Sequence, residues 1–185
     1  MDNKNDLNSF YYDLLNISKR SNTLDTINNI VSQNRKELKD VGGSIDGLCK
    51  VAANNISLEL HGKNIMHRIL NTKEILNCYE HVFIIACYKE QEKLNYILID
   101  PTFEQFYEQQ GRILLSSFEN WPSTVLCKTE KGKILLNNLL TNGYSIIDEV
   151  DVKLYLGSFV NEIDPNIVGV KLSDVMTDSI GRKTR

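Results

Sequence analysis

"HVFIIACYKEQEKLNYILID" runs from His81 to Asp100, and how it is read decides the fold. Two apolar, β-rich runs, His81–Tyr88 and Leu94–Asp100, flank the charged "KEQEK". Strand, short polar connection and strand make an antiparallel hairpin. Pro101 has no N–H to give a ladder and fixes its own φ, so the second strand ends at Asp100. His81 therefore opens one strand and Asp100 closes the other. In an antiparallel pair those are the same end, and the two side chains become neighbours if the register allows.

Upstream, "GSIDGLCKVAANNISLELHG" (Gly43–Gly62) reads as a glycine-marked break and then a helix over Leu48–Leu60. Val51, Ala52, Ile56, Leu58 and Leu60 supply its apolar bulk, and His61-Gly62 stops it. Cys49 falls on the first turn, where free N–H groups and the positive end of the helix dipole favour a thiolate. "NIMHRILN" (Asn64–Asn71) reads as a strand. Further upstream, Leu7, Phe10, Tyr11, Leu14, Leu15 and Ile17 mark an amphipathic helix over Asp6–Arg20. Ser21 or Thr23 caps a second helix to about Leu38, with Leu24, Ile27, Ile30 and Val31 inward. Downstream, Ile134, Leu135, Leu139 and Leu140 form one stripe of a helix that Gly143 closes. Another helix starts at Asp148, "NIVGVKLSDV" (Asn166–Val175) reads as a strand, and "TDSIGRKTR" as a loose tail.

Residues 1–185 are thus expected to form one α+β domain. Its parts are a helical N-terminal extension (1–40), a core (41–110), a mostly helical C-terminal part (111–175) and a polar tail (176–185). Hydrophobic residues at 42% and charged residues at 24% fit an ordinary soluble protein. A net charge of −3 argues against a nucleic-acid surface as the main business. No apolar run approaches the ~20 residues of a membrane span. The polar start "MDNKNDLNSF" lacks a secretory signal, which leaves a cytoplasmic location or export by a dedicated secretion system. Cys49, Cys78, Cys87 and Cys127 are irregularly spaced and fit reduced thiols. Cys78-x-x-His81, with His61 and His67 nearby, lacks the paired spacing of structural zinc sites. No cofactor or metal is expected.

Cys49, His81 and Asp100, in that order, supply a nucleophile, a base and an orienter. A thiolate attacks a carbonyl carbon, an imidazole moves the proton, and a carboxylate fixes the imidazole's tautomer. "GLCKVAANN" at Cys49, "HVFIIA" at His81 and "YILIDPTFEQF" at Asp100 together resemble the transglutaminase-like core of the papain-like cysteine enzyme superfamily. The likeness spans Gly47–Phe106. It implies a small antiparallel sheet packed on the helix that the cysteine starts, and Cys49, His81 and Asp100 as the triad. The superfamily includes thiol proteases, transglutaminases and protein-glutamine deamidases, some of them bacterial effectors. Leu48 stands where many members carry tryptophan, and Gly43 where papain-type proteases carry an oxyanion-hole glutamine. The oxyanion donors are then expected to be backbone N–H groups, with Gln33 as a candidate side chain.

The functional expectation is a cysteine-nucleophile acyl-transfer enzyme acting on an amide of a protein or peptide through a thioacyl intermediate. Glutamine deamidation, peptide-bond hydrolysis and transamidation all remain open. The alternative is a non-catalytic protein-binding module on the same fold. Geometry separates the two, because the enzyme needs the Cys49 sulfur in hydrogen-bonding reach of His81.

Overall fold

The computed structural model describes residues 20–42, 47–76, 80–108, 121–160 and 171–176. In chain order the elements are α1 (Arg20–Gly42), α2 (Cys49–Gly62), β1 (His67–Asn71), α3 (Thr72–Leu76), β2 (Val82–Glu90) and β3 (Lys93–Ile99). They continue with α4 (Glu104–Glu108), α5 (Pro122–Leu126), α6 (Glu130–Asn142), β4 (Tyr144–Ile147), α7 (Glu149–Gly157) and α8 (Leu172–Met176). The strands form one antiparallel sheet in the order β1-β2-β3-β4. The protein is therefore α+β, and none of its described helices is long and apolar enough to cross a membrane. The expected helix over Asp6–Arg20, apart from Arg20, and the polar tail from Thr177 lie outside the described residues.

Helices cover both faces of the sheet, which is why β2 reads as an unbroken apolar run. Val82, Ile84, Ala86 and Tyr88 point to one face, with Ile97 and Ile99 of β3. There they meet Ile27, Ile30 and Val31 of α1 and Ala53, Ile56 and Leu60 of α2. Phe83, Ile85, Cys87 and Leu98 point to the other face, against Phe103, Phe106, Leu135, Leu139, Val152, Tyr155, Leu156 and Phe159. Each such aliphatic or aromatic side chain, fully buried, contributes roughly 1.5–3 kcal/mol. Within α2 the buried face is Ala52, Ala53, Ile56 and Leu60, whereas Val51 and Leu58 are exposed. Ile134 of α6 is exposed as well, and Leu136 takes its place in the core. Apolarity alone placed these three inside; the helical phase of their buried neighbours turns them out.

The hairpin is tighter than its charged connector suggested. Lys89, Glu90 and Lys93 belong to the ladder, and Glu90 pairs with Lys93 across a two-residue turn. Gln91 and Glu92 both take positive φ, 49° and 61°, the conformation that lets a two-residue turn follow the strand twist. Two other segments differ from expectation. "YSII" is strand β4, which adds the fourth member of the sheet from within the part expected to be mostly helical. Leu172–Met176 is a helix, not the end of a strand. Its first N–H is taken by the Glu149 carboxylate at 3.0 Å, a cap supplied from 23 residues away. Asn166–Val170, the rest of that expected strand, lies outside the described residues.

Gly143 closes α6 with φ 75°, as expected, and its carbonyl accepts the Asp100 N–H at 2.9 Å. A Cβ there would sit 2.8 Å from Val31 Cγ1 and 3.0 Å from Arg35 Cδ. Arg35 cannot swing away cheaply, because its guanidinium donates to the Leu140 and Thr141 carbonyls. Gly143→Ala is expected to cost about 2 kcal/mol or more, from left-handed backbone strain and overpacking together. Denaturant midpoints check this; a loss under about 0.5 kcal/mol would contradict it.

Candidate active site

The site forms where the two faces of the sheet meet at one of its ends. Cys49 comes from α2 on one face; the His81 and Asp100 side chains belong with the residues of the other. The register pairs Ile84 with Ile99, so Phe83 falls opposite Asp100, and His81 lies two residues further along the same face. That diagonal offset is within reach of an imidazole and a carboxylate. His81 Nε2–H donates to Asp100 Oδ2 at 2.8 Å. Both groups are buried, with exposures of 1% and 0%. The backbone of His81 is pinned by Thr72: its N–H donates to Thr72 Oγ1 at 2.8 Å, and its carbonyl accepts the Thr72 N–H at 2.9 Å.

Cys49 is the first residue of α2. Leu48 caps the helix with no side-chain hydrogen bond, and the first intrahelical donor is Ala52 N–H to the Leu48 carbonyl at 2.9 Å. The N–H groups of Cys49, Lys50 and Val51 therefore have no carbonyl within the helix to bond. The Cys49 thiol lies in range of the His81 ring and the Val82 N–H, and both favour its ionised form. With Nε2 committed to Asp100, Nδ1 is the ring nitrogen left for the sulfur. All three residues singled out from the sequence thus converge.

The electrostatics follow from these contacts. Burial pushes the Cys49 thiol up, but the His81 hydrogen bond and charge and the Val82 N–H outweigh it, and the pKa lies below its ordinary 9.0. Burial also opposes charge on His81, yet the Asp100 carboxylate and the Cys49 sulfur raise its pKa to about 9. Both shifts favour the thiolate–imidazolium form of the pair. Because the His81 value is raised in the fold, its proton stabilises the protein fully below the ordinary 6.5. That contribution is lost as pH rises through about 9. An NMR titration is expected to show His81 still protonated at pH 7.5 and His67 already neutral, because burial lowers the latter. A His81 midpoint at or below 6.5 would overturn the ion-pair assignment.

His67 lies apart from the triad, bonded to Ser57 Oγ at 2.7 Å and to the Ile65 carbonyl at 2.8 Å. Among the described residues no three His, Cys, Asp or Glu side chains gather as a metal site. Gln33 is on the exposed side of α1, where it donates to Glu37, so it supplies no oxyanion donor. Gly43 and Cys78 lie outside the described residues.

Several partners were not read from the sequence. Tyr155 O–H donates to Asp100 Oδ2 at 2.8 Å, and Thr102 donates through its N–H and its hydroxyl to Oδ1, each at 3.3 Å. Gln105 joins this network to the Cys49 helix: its Nε2 donates to Thr102 Oγ1 and its Oε1 accepts the Gly47 N–H. Phe159 stacks on the His81 ring at 5.3 Å, and Phe106 meets it edge-on at 4.9 Å. A protonated imidazole over an aromatic face gains further favourable electrostatics. At the rim, Lys50 and Glu80, the residues after Cys49 and before His81, pair at 2.9 Å. Thr102 did carry a sequence signal, because Asp-Pro-Thr is a turn in which the aspartate bonds the N–H two residues on. Tyr155 carried none.

Compared with protein-family models, with curated proteins and with solved structures, the chain finds no match. The functional reading rests on the geometry of Cys49, His81 and Asp100 and on the motifs around them.

Proposed function

We propose that the chain is a cysteine-nucleophile acyl-transfer enzyme with a papain-like, transglutaminase-like core, acting on an amide of a protein or peptide. One observation carries this reading: a sulfur at a helix N-terminus lies beside an imidazole held by a buried carboxylate, and sulfur and imidazole each favour the other's charged form. In the reaction the Cys49 thiolate attacks the amide carbonyl carbon and a C–S bond forms. The oxygen's developing charge is met by N–H groups at the start of α2. As the C–N bond breaks, His81 gives its proton to the leaving nitrogen, releasing ammonia from a glutamine side chain or an amine from a peptide bond. Water, or an acceptor amine, then gives a proton to His81 as it attacks the thioacyl carbon, and the C–S bond breaks.

A module kept only for binding has no use for a buried, charged His–Asp pair. Such a pair is costly to desolvate and is a poor source of net stability. The test is to incubate the protein with a proteome and search by mass spectrometry for glutamine-to-glutamate changes, cleavages or crosslinks. The expected result is one class of product that requires Cys49, His81 and Asp100. Products that persist in all three variants, or none under any condition, would overturn the reading.

A further inference from the structure

Asp100 carries more donors than a triad orienter needs. Its Oδ2 accepts both His81 Nε2–H and the Tyr155 hydroxyl at 2.8 Å, and its Oδ1 accepts the two Thr102 donors. Tyr155 is fully buried on α7, 55 residues from Asp100 in the chain. Its ring is locked by Phe83 at 4.9 Å and Phe159 at 5.1 Å. The hydroxyl is therefore placed by packing and not by a search among rotamers. A buried ion pair holds its charges only when the lone pairs it does not use itself are satisfied. Without such donors, a buried carboxylate beside an imidazolium lowers its energy by taking the proton, and the pair becomes neutral.

We propose that Tyr155 is a positioning residue: its hydroxyl, seconded by that of Thr102, holds the Asp100 carboxylate aimed at His81, and so keeps the Cys49–His81 pair charged. The inference rests on the triad reading of this site and concerns how the nucleophile is kept ready. The titratable groups facing this centre are Cys49, His81, Asp100 and Tyr155 themselves. Of the charged groups nearby, Lys50 and Glu80 pair with each other at the rim. Glu104 of α4 is paired with Arg35 and Lys39 of α1. Consistent with the donor role, burial and the Asp100 charge hold the Tyr155 phenol well above its ordinary value, so it keeps its proton.

The test uses iodoacetamide, with labelling of Cys49 read by peptide mass spectrometry from pH 5 to 10.5 in the full chain and in Tyr155→Phe. Loss of a hydrogen bond to a charged group corresponds to about one pH unit. The labelling profile of the variant is expected to move to higher pH by about one unit, with labelling slower below the midpoint and the two rates converging at the alkaline end. Convergence is the reading that a merely structural role would not give, since a distorted site slows labelling at every pH. A superimposable profile, or a uniform slowing, overturns the proposal. If Tyr155→Phe melts below the assay temperature, Thr102→Val removes the hydroxyl donor from the other oxygen. A smaller shift in the same direction is then expected, and an unmoved profile overturns the proposal. Labelling needs no substrate, so failure here is separate from failure to find an acyl-transfer product.

Discussion

Cys49→Ala is expected to remove acyl transfer altogether, by about 10⁴-fold or more, while leaving the fold in place. The size of the effect follows from what the sulfur does: without it there is no atom to form the thioacyl bond, and the remaining N–H donors only bind the amide. Cys49→Ser is expected to be nearly as inactive, because the His81–Asp100 pair that ionises a thiol cannot ionise a hydroxyl of far higher pKa. Stability is expected to move by less than about 1 kcal/mol, since the half-buried thiol leaves little cavity when shortened. Iodoacetamide labelling at pH 6–7 reports the same residue independently. Cys87 is buried with its thiol pushed up to about 12 and stays silent, and the exposed Cys127 gives the background rate. Turnover that survives Cys49→Ala, with a normal melt, would remove Cys49 from the chemistry.

Local pattern was enough where local physics decides structure. The hairpin was legible because apolar runs, a polar connection and Pro101 all act within a few residues. The start of α2 was legible for the same reason, as was Gly143, whose positive φ ends α6; the end of α2 was not, because His61 and Gly62, expected as its stop, continue the helix to a cap at Lys63. From these alone the meeting of His81 and Asp100 could be anticipated, because antiparallel pairing brings those strand ends together. What stayed hidden depends on distant partners. β4 has four residues and becomes a strand only because β3 offers an edge, with Tyr96–Ile99 paired to Tyr144–Ile147. α8 begins under a carboxylate from α7, so its β-branched approach sequence misleads. Tyr155 sits in an apolar-looking helix, and nothing in "KLYLG" shows that its hydroxyl ends on Asp100.

Asp100→Asn is expected to cut activity by on the order of 10²-fold or more, and the structure adds a stability cost that the sequence did not suggest. From the motif alone the swap looks nearly isosteric and harmless to folding. In the fold, however, the carboxylate is an acceptor for His81, Tyr155 and Thr102 together. An asparagine offers one carbonyl oxygen and one NH₂. If its oxygen serves Thr102, the NH₂ confronts His81 Nε2–H and the Tyr155 hydroxyl, two donors. If it serves those two, the NH₂ confronts the Thr102 N–H. Either way a buried donor is left unpaired, and His81 loses the counter-charge that raises its pKa to about 9. The imidazole is then neutral near pH 7 and free to bind the NH₂ through Nε2, which puts its proton on Nδ1. In that state the ring cannot take the Cys49 proton, so the thiol stays protonated. A loss of about 2–4 kcal/mol in unfolding free energy is expected beside the loss of turnover. Iodoacetamide labelling of Cys49 at pH 6 should slow in parallel. The decisive comparison is Asp100→Asn alone against Asp100→Asn with Tyr155→Phe. With the carboxylate gone, removing the phenol should restore part of the lost stability by relieving an unpaired donor. Asp100→Asn with unchanged melting, labelling and turnover would mean that the carboxylate neither charges His81 nor orients it.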